Sequence, residues 1–179
     1  MKHPLQYFRE LTAQMDRPRI LLTGAKVWPG SINPDHSQHA PNGEWIGTDI
    51  EGGEGVSIVS DLQTIHETGE QFDAAFSPAT LEHIERPWVA MWSMTQVVRP
   101  GGVVYVHTHQ TFPVHGYPSD YFRFSTSAMR TLCFDAGLDV LACEYDNPCT
   151  IVPPPGLAGW NYVAEAWLNV NTCAIRKED

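Results

Sequence analysis

Residues 72–109 constrain the fold more than any other part of the chain. Phe72-Asp73-Ala74-Ala75-Phe76-Ser77 is a short apolar run of strand type. Within Glu85–Arg99, the residues Trp88, Met91, Trp92, Thr95 and Val98 then recur at helical spacing. Pro100-Gly101-Gly102 is expected to end that helix, and Val103–His109, dense in Val and Tyr, to form the next strand. A strand, a long connection and a second strand give two parallel neighbours joined by a crossover helix.

The flanking sequence extends this pattern. Leu5, Phe8, Leu11 and Met15 predict a helix over Pro4–Met15, and Arg19–Gly24 reads as a buried strand ending in glycine. Pro29–Gly43 reads as a loop or broken helix. Strands are expected at Glu44–Ile50, Val56–Val59, Leu138–Tyr145 and Val170–Arg176. Ser125 or Thr126 should cap a helix carrying Met129, Leu132, Cys133 and Ala136, with Gly137 as its left-handed terminator. The fold class is therefore α/β: a Rossmann-like, mostly parallel seven-stranded sheet flanked by helices, binding ligands at the strands' carboxyl ends. One domain is expected over 1–179, with an N-terminal helix (1–17), a core (18–146) and a proline-rich insertion with the last strand (147–179).

Charge narrows the partners. Eleven basic residues stand against 21 acidic ones, a net of -10, with no basic run to neutralise phosphates, so nucleic acid is disfavoured. No apolar stretch approaches the roughly 20 residues of a membrane span. The opening residues lack the apolar core of a signal peptide, so a cytoplasmic protein is expected. Cys133, Cys143, Cys149 and Cys173 form no C-x-x-C pair and read as reduced, mostly buried thiols.

Three features converge on one family: the turn Thr23-Gly24-Ala25-Lys26, the acid Asp49 closing a strand 25 residues after Gly24, and the string from Phe72 to Gly102 containing Leu81-Glu82-His83 and Arg99-Pro100-Gly101-Gly102. Together they resemble the class I S-adenosylmethionine-dependent methyltransferases of the small type 11-like kind, over roughly Arg19 to Tyr145. The segment His115–Ser125 resembles a block following the fifth strand in one branch of these enzymes. The resemblance implies S-adenosylmethionine as cofactor. It places Asp49 on the ribose hydroxyls, Asp61 on the adenine amino group, and the turn Thr23, Gly24, Ala25 and Lys26 at the methionine tail; Ile50 and Leu62 could sandwich the adenine or be core, and Lys26 could pair with the cofactor carboxylate or be a solvated loop lysine. Ser77 should lie near the transferring methyl group. The family's usual acid followed by G-x-G-x-G is reduced here to one glycine, Gly24. Asp49 could instead start the turn that follows it, and Asp61 could serve as a helix cap.

Alternation puts His107 and His109 on one face at the end of the fifth strand, with His115 six residues on. A general base, a divalent-metal ligand set and a hydrogen-bonded structural pair all stand open for these imidazoles. His109, nearer the strand mouth, is the preferred base, and no metal is assigned. His83, His115, Tyr117 and Tyr121 are candidates for the acceptor pocket. Ser77-Pro78-Ala79-Thr80 lacks the second proline and aromatic seen in amine methyltransferases, so an amino acceptor is not indicated. The function expected is methyl transfer to a small-molecule hydroxyl or carboxylate of sugar or natural-product type. The alternatives are a cofactor-binding domain without methyl transfer, and a histidine-based metal enzyme. The proline-rich segment Pro153–Trp160 could line the acceptor pocket, form a homodimer contact or wrap the core.

Overall fold

The computed structural model describes residues 2–29, 34–116, 118–156 and 163–178. Seven strands form one sheet: β1 Arg19–Thr23, β2 Glu44–Asp49, β3 Ile58–Val59, β4 Phe72–Pro78, β5 Val98–His109, β6 Leu138–Ile151 and β7 Ala164–Arg176. Their order is β3-β2-β1-β4-β5-β7-β6. The first five strands are mutually parallel, and β7 runs antiparallel between β5 and β6. The seven-stranded, mostly parallel sheet expected from the sequence is the one that forms.

Strand alternation splits the core between two faces. Leu21, Ala75, Val104 and Val106 point to helices α2 (Pro87–Val97) and α3 (Thr126–Asp135), meeting Met91, Met94 and Met129. Ile20, Ala74, Phe76, Val103 and Tyr105 point the other way and are covered by Phe8 of α1 (Pro4–Ala13). Phe8 packs edge-on against Phe76, with ring centroids 5.2 Å apart, and both are buried. Ser125 Oγ accepts from Ala128 N at the start of α3, and Gly137 closes it at φ +81°, as expected. No described helix is long and apolar enough to cross a membrane.

Two expectations are corrected. The helix predicted over Glu85–Arg99 spans only Pro87–Val97, and Val98-Arg99-Pro100-Gly101-Gly102 belongs to β5. Proline biases the residue before it toward extended backbone and cannot continue a helix, so Arg99-Pro100 starts the strand. The register shifts between Phe72 and Ala74, and Gly102 sits where a Cβ would lie 2.6 Å from Val98 Cγ1 and 2.7 Å from Asp73 O. The motif therefore builds an irregular strand entry. Asp73 fastens it: its carboxylate accepts from Arg19 N at 2.7 Å and pairs with Arg99 at 2.6 Å, joining the starts of β1 and β5. The second correction concerns β6 and β7, which run past their expected ends and pair out to Ile151 and Ala164. β5 pairs with β7 only as far as His109 and Asn169, so the remaining residues form a two-stranded ribbon braced by stacked Tyr145 and Trp167. Pro148 is tolerated because β6 is the sheet's edge. Of the proline-rich segment, Leu157–Trp160 fall outside the described residues.

Two outcomes follow. A Cβ at Gly47 would stand 2.0 Å from Gly55 O and 2.8 Å from Ala25 Cβ. Gly47→Ala should destabilise the fold by about 1–3 kcal/mol in denaturant unfolding, the usual cost of overpacking. Burial pushes the Cys133 and Cys173 thiols up to about 12 and raises that of Cys143, whereas Cys149 is only half-buried. Alkylation of the native protein near pH 8 should therefore label Cys149 alone, with the other three reacting after denaturation.

Candidate active site at the switch point of the sheet

β1 has β2 on one side and β4 on the other, so the chain leaves their carboxyl ends in opposite directions and opens a crevice. A cavity of about 440 Å³ fills that crevice. Each strand end supplies part of the wall: Thr23 and Gly24 from β1, Thr48, Asp49 and Ile50 from β2, Ser60, Asp61 and Leu62 after β3, and Ala79 and Thr80 after β4. Gly24 takes φ +61°, and a Cβ there would meet Thr80 Oγ1 at 2.7 Å. Only glycine lets the two strand ends approach this closely. Beneath it, Thr23 Oγ1 lies 2.8 Å from Ser77 Oγ and 3.0 Å from Thr80 Oγ1, a cluster of hydroxyls joining β1 to β4. Ala79 holds φ +42°, a rare conformation for a residue with a Cβ, at the point where the chain turns over the cavity.

The structure thus gathers Thr23, Gly24, Asp49, Ile50, Asp61, Leu62, His83, His115 and Tyr121 around one space. The Asp49 carboxylate accepts from Lys26 N at 3.1 Å and Glu51 N at 3.2 Å, so it orders the turn while facing the cavity. Asp61 accepts from Gln63 N at 2.8 Å in the manner of a cap, and it also lines the wall. Three expected residues stand back. Ser77 is fully buried in the hydroxyl cluster. The Ala25 N–H is spent on Thr48 O, and Lys26 Nζ pairs with Glu51 above the Trp28 ring. Tyr117 lies outside the described residues. Trp28, Gln63 and Glu85 also line the cavity, and nothing in their sequence context singled them out.

The far wall is imidazole. His83 donates Nδ1–H to Ser119 O at 2.6 Å, and its ring meets His115 edge-on at 4.7 Å. His109, the expected base, lies one layer behind, stacked on Phe112 with centroids 4.1 Å apart. Its Nδ1 is 3.0 Å from Asn169 Oδ1, its partner in the β5–β7 register. Its Nε2 is 3.2 Å from Glu82 Oε1. Burial lowers the pKa of both His107 and His109, which favours neutral rings near pH 7. His107 is not part of this group. Glu82, fully buried in the 3-10 turn Leu81–His83, takes the third place instead. The segment around Asp120–Phe124, rich in aromatic residues, is tied down here as well. Glu82 O accepts from Tyr121 N, and Arg123 grips Asp120 through both carboxylate oxygens. The Arg123 guanidinium holds the Asp120 carboxyl well below the usual carboxylate range.

A family model described as a methyltransferase domain matches residues 13–106, more than half of the chain. The chain belongs to this family, the type 11-like class I methyltransferases. A S-adenosylmethionine-dependent methyltransferase from Archaeoglobus fulgidus superposes on this methyltransferase with a TM-score of 0.65 at 12% identity, over 96% of this chain and 91% of the other. One from Mesorhizobium loti gives 0.62 at 14%, over 96% of each chain. The Burkholderia thailandensis 1,6-didemethyltoxoflavin-N1-methyltransferase, solved with 1,6-didemethyltoxoflavin and S-adenosylhomocysteine, gives 0.64 at 12%, over 98% and 77%. Likeness at these identities shows the fold. No curated protein matches the methyltransferase by sequence.

Proposed function

We propose that this methyltransferase binds S-adenosylmethionine in the switch-point cavity and transfers its methyl group to a small-molecule hydroxyl or carboxylate held against the imidazole wall. The observation that carries the reading is the Asp49 carboxylate, fixed by two backbone N–H groups at the end of β2 and turned toward a cavity sized for a small-molecule ligand. Each of its oxygens keeps lone-pair capacity beyond the bond it already accepts, enough to take both hydroxyls of a ribose.

The cofactor supplies an activated methyl on a sulfonium. The chain's own groups do the rest. Asp49 holds the ribose, Asp61 accepts from the adenine amino group, and Ile50 and Leu62 flank the base. Gly24 lets the backbone come close to the tail, while Ala25 and Lys26 shape the turn. The acceptor sits toward His83, His115 and Tyr121, in line with the methyl carbon. Where it is a hydroxyl, its proton leaves toward His115 and the Glu82–His109 pair behind it. The net charge of -10 disfavours a polyanionic acceptor.

Asp49→Ala should raise the dissociation constant of S-adenosylhomocysteine roughly 10- to 100-fold, the worth of a charge-assisted hydrogen-bond pair. Isothermal titration measures it, and an unchanged affinity removes Asp49 from the ribose. His109→Ala should leave that affinity intact yet lower turnover in a screen of hydroxyl and carboxylate acceptors. Full turnover in the variant would leave His109 a structural residue.

A further inference from the structure

Glu82 poses an electrostatic problem that the methyl-transfer reading does not solve. The side chain is fully buried, and its Oε2 accepts one hydrogen bond, from Thr108 Oγ1 at 2.7 Å. Among the described residues, Oε1 has no hydrogen-bond partner. A buried carboxylate so poorly satisfied costs several kcal/mol unless a cation or proton compensates it. Arg123, the nearby basic side chain, is committed to Asp120 and to the carbonyls of Phe112, Phe122 and Pro113.

The neighbouring imidazoles point the same way. His109 Nδ1 faces Asn169 Oδ1, and His115 Nδ1 faces the Pro113 carbonyl at 3.1 Å. Both acceptors are oxygens, so each ring donates through Nδ1, and in its neutral form each presents a lone pair at Nε2. His109 Nε2 then confronts Glu82 Oε1 across 3.2 Å, lone pair against lone pair. One ligand atom from each of Glu82, His109 and His115 lies within 4.8 Å of the others. Three ligands bound at 2.0–2.2 Å to one ion sit roughly 3–3.6 Å apart, so a small rotation of His115 closes the triangle.

We propose that Glu82, His109 and His115 form a binding site for a divalent transition-metal ion beside the methyltransferase cavity. The outer contacts match those of metal sites, where a ligating imidazole donates its other N–H to an oxygen and a ligating carboxylate is itself hydrogen-bonded. Asn169, Pro113 O and Thr108 fill those roles. Two imidazoles and one carboxylate select zinc- or ferrous-type ions over magnesium or calcium. Three protein ligands leave a coordination position open. His115 lines the cavity, so an acceptor oxygen approaching that wall can take the position and become more acidic there. Ion binding itself stands or falls apart from methyl transfer.

The test is titration of the chelator-stripped full chain with Zn²⁺ by calorimetry and with Co²⁺ by visible absorption. One ion per chain is expected, with a higher Tm for the loaded protein. His115→Ala and Glu82→Gln should abolish the Co²⁺ bands. Asn169→Ala, which removes no ligand, should weaken binding about 10- to 100-fold. Circular dichroism and a cooperative thermal transition confirm that each variant is folded, and S-adenosylhomocysteine affinity, measured alongside, tests the cofactor site separately. Should Glu82→Gln fail to fold, the variants at half-buried His115 and at Asn169 still decide the matter. No ion bound by the wild type, or binding unchanged in His115→Ala and Asn169→Ala, overturns the site and leaves Glu82 and His109 a proton-sharing pair.

Discussion

The position of β1 between β2 and β4 governs everything built at the top of this sheet. Chains leaving the carboxyl ends of β1 and β4 must diverge, so no packing of the core can fill the space between them. The protein holds that gap open while holding the strands together. The hydroxyls of Thr23, Ser77 and Thr80 bind the strand ends just below the cavity, and Gly24 and Ala79 turn the chain away through positive φ. At the opposite end of the same strands, Asp73 joins Arg19 and Arg99. β1 is thus fastened at both ends by polar groups while its middle, Ile20 and Leu21, is buried in the two apolar cores. A crevice walled by elements this firmly tied is preformed, which lowers the ordering cost of binding.

The carboxylates divide into two kinds of environment. Asp49, Asp61 and Asp120 are satisfied by backbone N–H groups or by a guanidinium, and each also orders a turn. Their charge is compensated by the structure that surrounds them. Glu82 is the exception, since it buries a carboxylate against two imidazoles with a single hydroxyl donor. Its backbone carbonyl meanwhile receives Tyr121 N, so the same turn fixes the segment from Ser119 to Phe124 beside the cavity. A costly side chain is therefore held at the junction of β4, β5 and that segment, where the chemistry of the acceptor would be decided.

The sequence announced the architecture through period and punctuation. The βαβ unit was legible because its apolar runs differ in period and its helix fits one crossover. That Asp49 and the turn at Gly24 line the cavity was legible because both close strands at the carboxyl edge of the sheet. What failed was local. Arg99-Pro100-Gly101-Gly102 looks like a helix stop, yet the pairing of Phe72 with Val98 recruits it into β5. The true lengths of β6 and β7 were hidden because ribbon pairing depends on a partner strand rather than on composition. Glu82 was hidden most completely. It was named only within the string Leu81-Glu82-His83, and its burial against His109 depends on tertiary packing that no local pattern carries.

The reduced glycine motif has a structural counterpart that shifts where a cofactor must be gripped. Dinucleotide folds commonly place a helix N-terminus after the first strand, and its free N–H groups hold an anion. Among the described residues from Gly24 to Gly43, the only helical element is the short 3-10 turn His36–His39. The amides that leave β1 are already occupied: Ala25 N bonds Thr48 O, Lys26 N bonds Asp49, and Val27 N bonds Glu54 O. A turn that satisfies itself has little left for the carboxylate of a methionine tail. At the other end of the cavity Asp49, Asp61 and Leu62 line the wall. A rigid, self-bonded turn costs little to order on binding, which offsets the contacts it gives up.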